Sequence, residues 1–187
     1  MKKKYDFAIV SGGFDPVHVG HLRMFQDAKK IADKVILLLN NDEWLIKKKG
    51  KPFMNQNQRK EILEEFISIS EVIIQSSSEP SSSKAIEEFV SKNRNKSICY
   101  CNGGDRSNIE NIRESKVCNK LGVNLEFGIG GKNKIESSSN LTKNYLGNIE
   151  KRPWGNYHII AKNLGYQIKE IKVSVNSKLS LQKHKNR

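Results

Sequence analysis

From residue 7 to residue 127, apolar runs of strand length alternate with stretches of helical spacing. Phe7-Ala8-Ile9-Val10 predicts a buried strand. Residues 22–32 predict a helix, with Leu22, Phe25, Ala28 and Ala32 on one stripe. The unbroken apolar run of residues 34–40 suits a parallel strand buried on both faces. Residues 58–67 predict an amphipathic helix with Ile62, Leu63, Phe66 and Ile67 turned inward. Residues 71–74, 97–101 and 123–127 predict three further strands, and residues 84–93 and 111–121 two further helices. This alternation predicts an α/β fold: a Rossmann-like, parallel, five-stranded sheet with flanking helices. Near Leu146-Gly147-Asn148 the pattern changes to short alternating runs at 157–160, 166–173 and 178–181, which predict hairpin-like strands. The expected division is a domain over residues 1–147 and a β-rich tail over 148–187.

Composition narrows this picture. A chain of 187 residues can hold one α/β domain and a small appendage. The formal net charge of +13 admits a nucleic-acid partner or a pocket for a polyanionic nucleotide. No recognition helix or base-stacking motif accompanies the scattered lysines, so the pocket is favoured and no nucleic acid is expected. Residues 76–83 form a serine-rich loop to which no chemistry is assigned. Cys99, Cys101 and Cys118 are odd in number and lack a CxxC pair, which argues against a disulfide framework and for a reducing compartment. Cys99 and Cys101 alternate along a strand, so they read as core packing. The basic start, Met1 to Asp6, has no long apolar region after it, and no run is long enough to span a bilayer. A soluble cytoplasmic protein without a membrane partner is expected.

The candidate chemistry gathers at Val10-Ser11-Gly12-Gly13-Phe14-Asp15-Pro16-Val17-His18-Val19-Gly20-His21-Leu22, a strand, a glycine turn and a helix start. Gly12 and Gly13 let backbone approach an anion, and a helix N-terminus offers N–H groups to phosphate. His18 and His21, three apart, can face one site, and Gly20 between them leaves room for a ligand.

His18-Val19-Gly20-His21 after Gly13-Phe14-Asp15 resembles the HxGH signature of the nucleotidyltransferase superfamily, in its cytidylyltransferase-like branch. Glycerol-3-phosphate cytidylyltransferases and the adenylyltransferases that make ADP-heptose belong there. The resemblance implies that His18 and His21 are catalytic and that Gly12, Gly13, Phe14, Asp15 and Gly20 line the nucleotide. It implies a phosphate-binding lysine in the basic loop of residues 47–52, where Lys47, Lys48 and Lys49 all qualify and Lys48 is taken as catalytic. Arg59 matches an arginine that contacts the acceptor phosphate. Gly104, Asp105 and Arg106 match a GGD-type turn at base and ribose. Ser137, Ser138 and Ser139 resemble a second signature whose hydroxyls and helix N–H groups hold phosphates. Glu136 departs from it, replacing an apolar residue. Lys132 stands where the glycerol-phosphate enzymes carry arginine, which loses the bidentate fork and weakens that acceptor assignment.

The implied reaction moves CMP or AMP from CTP or ATP to a sugar- or polyol-phosphate and releases pyrophosphate, with Mg2+ arriving on the triphosphate. A role in activated sugars for surface polysaccharide follows by resemblance, as does the alternative of a catalytically silent nucleotide-binding module. In the tail, residues 152–157 and 179–184 resemble the opening of a type II mannose-6-phosphate isomerase cupin. His184 matches its first metal histidine, but Asn186 replaces the second. The later cupin strands do not follow within these residues, which argues against isomerase activity. Such a remnant is expected to be ordered only in part, or by pairing with another chain as in a homodimer.

Overall fold

The computed structural model describes residues 3–103, 112–131, 137–146 and 149–180. Two compact units divide it, Met1–Ser138 and Ser139–Arg187. The boundary expected at residues 147–148 lies outside the described residues.

The first unit is the parallel five-stranded sheet that the periodicity predicts. Its strands are β1 (Tyr5–Gly12), β2 (Ala32–Leu39), β3 (Glu71–Ile74), β4 (Ile98–Gly103) and β5 (Asn124–Ile129), in the order β3-β2-β1-β4-β5. β1 is central, with Ile9 level with Ile36 of β2 and Tyr100 of β4. Helices α1 (Val19–Ile31), α2 (Asp42–Lys49), α3 (Gln56–Glu64), α4 (Ser83–Lys92) and α5 (Ser115–Leu121) connect the strands.

Strand alternation sorts the core into two layers. Ala8, Val10, Val35, Leu37 and Leu39 pack with Phe25 and Ala28 of α1 and Leu63 of α3. Ile9, Ile36 and Leu38 pack on the other face with Ile86 and Phe89 of α4 and Val117 of α5. Cys99 and Cys101 are buried together on the first face with sulfurs 3.9 Å apart, while Tyr100 joins the second layer. The order reverses at β1, so the carboxyl ends of β1 and β4 open a crevice of the kind in which open α/β sheets hold ligands.

Two helices depart from the hydrophobic pattern. Lys47, Lys48 and Lys49 are not a loop but the last turn of α2. Asn41 caps that helix by accepting the Trp44 N–H at 2.9 Å, and Asp42 and Glu43 fill its first turn. Carboxylates at the start and lysines at the end both suit the helix dipole. Gly50, at φ +85°, ends it. α3 stops at Glu64, so Ile67 falls in the turn beyond and is 98% exposed, and Ile62 lies on the outer face. Leu63 is buried, and Phe66 packs edge-on against Phe25 at 5.6 Å. Overlapping helical and turn spacing made all four positions look equivalent.

α6 (Ser138–Leu146) starts on the last residue of the first unit, and in the second unit it precedes an antiparallel sheet of β6 (Ile149–Arg152), β7 (Gly155–Asn163) and β8 (Tyr166–Val173), in the order β6-β7-β8. Residues 178–180 form no strand, contrary to the alternation there, and residue 181 lies outside the described residues. None of residues 149–180 is buried. Among the described residues, no helix is long and apolar enough to cross a membrane.

Truncating Leu63 to Ala is expected to lower the unfolding free energy by about 2–5 kcal/mol. Ile67→Ser, in the same segment, should stay within about 0.5 kcal/mol. Urea unfolding of the two variants checks this.

Candidate active site

The glycine turn is built by close approach. A Cβ on Gly13 would meet Leu45 Cδ2 at 2.9 Å, and one on Gly12 would press the Phe14 ring at 3.2 Å. Phe14 takes φ +47°, which sends its side chain down into the core instead of toward a ligand. There it packs edge-on against His21, with ring centroids 4.8 Å apart, and against Phe25 at 5.4 Å. Phe14 is thus the floor under His21.

His18 and His21 meet as the spacing predicts. His18 is the extended residue that caps α1, and the two imidazoles stack with centroids 3.7 Å apart and planes at 21°. His21 Nδ1 accepts the His18 backbone N–H at 3.3 Å. In the neutral ring that places the hydrogen on Nε2, as a donor. Burial, then the His18 imidazole, then the Lys49 ammonium push the His21 pKa down from 6.5 to about 3. His21 is therefore neutral at physiological pH. The space over Gly20 is filled by the His18 ring: a Cβ there would meet His18 Nδ1 and Cε1 at 3.1 Å. Gly20 makes room for a neighbouring imidazole, where the sequence suggested room for a ligand.

Two charged residues assigned to ligands are consumed in holding the turn. Asp15 is buried, its carboxylate accepting the N–H groups of Phe53 and Met54, both at 2.8 Å. Lys49 donates to its Oδ2 at 3.3 Å and also to its backbone carbonyl. Arg59 is only 1% exposed. It donates to the carbonyls of Met54 at 3.0 Å, Gly13 at 2.7 Å and Asn40 at 2.9 Å, and to the Asp42 carboxylate at 2.7 Å. The apolar stripe of α3 gave no sign of a buried guanidinium, and Lys49, one of the three candidate phosphate lysines, is spent on Asp15.

The crevice is finished by polar residues at strand ends. Gln75 donates to Asn40 Oδ1 at 2.5 Å. Asn102 Nδ2, at the end of β4, is buried with no hydrogen-bond partner among the described residues. Ser138, the last residue of the first unit, donates to the Pro16 carbonyl beside the glycine turn at 2.8 Å, and α6 starts at that serine as expected. Ser137 immediately precedes it, and Ser139 lies in the helix, its carbonyl accepting from Thr142 at 3.1 Å. Gly104, Asp105, Arg106 and Lys132 lie outside the described residues.

Beside the turn lies a cleft of about 660 Å³ lined by Trp44, Lys47, Lys48, Ser78, Pro80 and Arg113, with Glu79 and Glu114 at its wall. Lys48 Nζ sits over the Trp44 ring at 4.5 Å, and Lys47 donates to Ser78 at 2.7 Å. Glu114 is occupied by the Ser82 N–H at 2.9 Å and the Ser81 hydroxyl at 3.0 Å. The serine-rich loop, given no role from composition, is one wall of this cleft. Among the described residues, no group of three or more His, Cys, Asp or Glu is placed to hold a metal ion.

The family model described as cytidylyltransferase-like matches residues 9–126, more than half of the chain, and its span contains the glycine turn and both histidines. The chain belongs to the cytidylyltransferase-like family. A glycerol-3-phosphate cytidylyltransferase of Bacillus subtilis is 34% identical over 73 residues, covering 39% of this chain and 54% of that protein. An FAD synthase of Thermococcus sibiricus is 33% identical over 76 residues, covering 40% and 51%. The chain thus spans about half the length of the curated relatives it matches. Among solved structures, a lipopolysaccharide core biosynthesis protein of Thermoplasma volcanium aligns with a TM-score of 0.50 at 19% identity, over 66% of this chain and 94% of that one. A bifunctional NMN adenylyltransferase/ADP ribose pyrophosphatase of Francisella tularensis aligns with a TM-score of 0.51 at 17% identity, over 75% and 42%. These two share the fold of this cytidylyltransferase-like chain. Residues 141–187 match the mannose-6-phosphate isomerase C-terminal family model, so the tail's resemblance extends over the second sheet.

Two outcomes are expected from this geometry. Arg59→Met should cost about 3–5 kcal/mol by stranding Asp42 and three carbonyls, and Arg59→Lys should not restore it. Thermal unfolding separates that from a phosphate-contact role, in which Arg59→Lys would fold normally and raise only the acceptor KM. His21, with a folded pKa below its unfolded value, favours the native state fully above about pH 6.5 and withdraws that support as pH falls. Asp27 and Glu126, whose pKa values are lowered from 3.8 and 4.5, act at more acid pH. Stability should therefore fall between pH 6.5 and 4.5, and His21→Gln should flatten that slope in urea titrations at each pH.

Proposed function

We propose that this chain transfers a nucleotidyl group from CTP or ATP to the phosphate of a phosphorylated sugar or polyol. An oxygen of the acceptor phosphate attacks the α-phosphorus, and the α–β phosphoanhydride bond breaks. The electron pair leaves on pyrophosphate. The attacking oxygen is already anionic, so no general base is needed, and catalysis reduces to positioning and charge stabilisation.

The observation that carries this reading is the stacked His18–His21 pair at the N-terminus of α1, against the Gly12–Gly13 turn. A neutral His21 donates from Nε2 to charge growing on the phosphates. It needs no proton transfer at the moment of reaction, because the His18 N–H and the Phe14 ring already fix its orientation. The N–H groups opening α1 add to that field. Asp15 and Arg59 act as positioning residues, holding the turn rigid. Asn102 Nδ2 has no acceptor among the described residues at the mouth of β4, where a nucleotide would supply one.

Mg2+ would enter on the triphosphate, neutralising phosphate charge. The donor set fits that role: the Asp15 carboxylate is taken by N–H groups and that of Asp42 by Arg59, so the cation would keep its ligands on phosphate and water.

The cleft of Trp44, Lys47, Lys48 and Arg113 is the acceptor site in this reading, its cations facing the acceptor phosphate. Its size supports a second reading. At about 660 Å³ it is in the range of pockets that hold drug-sized ligands. With the Trp44 indole at its edge it would also suit an acceptor with a flat ring system. Similarity to FAD synthases points the same way, toward AMP transfer to flavin mononucleotide. A place in surface-polysaccharide synthesis and a cytoplasmic setting belong to the first reading.

Pyrophosphate release, measured with CTP and ATP against glycerol phosphate, sugar phosphates and flavin mononucleotide, decides between the two. His18→Ala and His21→Ala are each expected to cut turnover by about 10²–10³ with the fold retained. Arg113→Ala should raise the acceptor KM and leave that of the triphosphate. Near-normal turnover in a folded His18/His21 double variant removes the proposal. Nucleotide binding without release from any pair favours a silent binding module.

A further inference from the structure

Three carboxamides meet at the carboxyl ends of β2 and β3, and groups that cannot be reversed fix their directions. The Leu38 carbonyl only accepts, so the Gln75 atom against it at 3.3 Å is Nε2. Asn40 meets that same nitrogen at 2.5 Å and must therefore present its oxygen, Oδ1. Asn41 is fixed in turn. Its oxygen accepts the Trp44 N–H at 2.9 Å, and its nitrogen donates to the Gln75 carbonyl at 3.2 Å. One end of this chain of amides is left over. Gln75 takes Asn40 Oδ1, so Asn40 Nδ2 points away from it. Among the described residues no acceptor meets that nitrogen, although Asn40 is only 7% exposed.

Asn40 stands where the glycine turn and the cleft meet. Its N–H donates to the Gly12 carbonyl at 2.9 Å and its carbonyl accepts Arg59 at 2.9 Å, which pins it beside the turn. Gly12 and Gly13 have no side chain to answer Nδ2, and their carbonyls are already engaged, by the Asn40 N–H and by Arg59. Strand alternation puts Asn40 on the face of Leu38, which α4 and α5 cover. The cleft is on that face, walled by Ser78 and Pro80, which lead into α4, and by Glu114, which leads into α5. Trp44, capped by the neighbouring Asn41, closes its edge.

We propose that Asn40 is a specificity-determining donor for the acceptor, its Nδ2 bonding the acceptor phosphate at the oxygen nearest the glycine turn, and that Gln75 is the positioning residue that sets the amide this way round. This rests on the nucleotidyl-transfer reading, which supplies the acceptor phosphate. A phosphate held by Lys47, Lys48 and Arg113, with an oxygen aimed at an α-phosphorus over the turn, lies across this buried donor. Phosphate oxygens only accept, and a hydrogen bond to an anion is about twice as strong as a neutral one, so the site takes a phosphomonoester in preference to the free alcohol. A neutral amide also orients the oxygen without giving it a proton, so the oxygen stays a nucleophile.

The test uses the full chain labelled with heavy nitrogen, the Asn40 side-chain amide resonances being those lost in Asn40→Ser. Inorganic phosphate and glycerol phosphate should each shift them, and glycerol should not. The shifts should persist with a saturating methylene-bridged analogue of CTP or ATP bound, which separates the acceptor from the triphosphate. Asn40→Asp should weaken phosphate binding at least about tenfold, by facing an anion with a carboxylate. Gln75→Glu can accept from Nδ2 but cannot donate to Oδ1, so it turns the amide round, and the same loss should appear with Asn40 intact. Gln75→Met, which buries no charge, serves where that variant fails to fold, and should weaken phosphate binding about threefold. Asn40 resonances indifferent to phosphate overturn the proposal. So does a response abolished by the triphosphate analogue, or a folded Gln75→Glu variant that binds phosphate as the parent does. Absence of pyrophosphate release from every nucleotide and acceptor pair removes nucleotidyl transfer, while the phosphate response of Asn40 stands or falls by itself.

Discussion

The candidate site rests on one buried cation. The Arg59 guanidinium leaves water to join the Gly13 carbonyl, the end of β2 at Asn40, the start of α2 at Asp42 and the loop at Met54. A buried charge is tolerated only when its donors are spent on acceptors, and here those acceptors come from four separate places in the chain. Asp15 does the reciprocal task with opposite sign, gathering Phe53, Met54 and Lys49. The glycine turn is consequently held by ionic bonds from beneath, which leaves its upper surface to the histidines. A turn rich in glycine would otherwise be loose, and a donor that wanders by an ångström loses most of its value to a transition state.

The fold was legible because its signal is periodic. Continuous runs such as Val35–Leu39 between helical stripes admit few arrangements besides a parallel sheet covered on both faces, and β1–β5 appear where the runs are. The histidine pair was legible because three residues on a helix is a fixed distance. What escaped was everything decided by tertiary partners. Arg59 was assigned to the acceptor phosphate by resemblance, and nothing in an amphipathic helix marks one of its arginines as 1% exposed. Phe14 looked like part of a ligand wall because a φ of +47° is not written in a phenylalanine. Lys47, Lys48 and Lys49 read as a loop because three lysines before a glycine and a proline look like one. The Asn41 cap and the dipole-matched order of Asp42, Glu43 and the lysines were the overlooked evidence for a helix.

The two sheets answer the same physical requirement differently. The parallel sheet buries both faces under helices and finds its partners within its own unit. The antiparallel one has Tyr157 bonded to Glu150 at 2.7 Å and covered by Lys169, yet buries no side chain among the described residues. A three-stranded sheet gains independent stability from a hydrophobic face that something covers.

The Arg59 and Asp15 network also has a reading in the time of synthesis. Among the described residues, every partner of both lies between Gly13 and Arg59. A nascent chain that has released α3 and paired β1 with β2 already holds all the groups that lock the glycine turn, before β4 has emerged from the ribosome. The wall bearing Asn102 and the serine motif is then added to a turn already set, so the catalytic half of the crevice serves as template for the half that comes later.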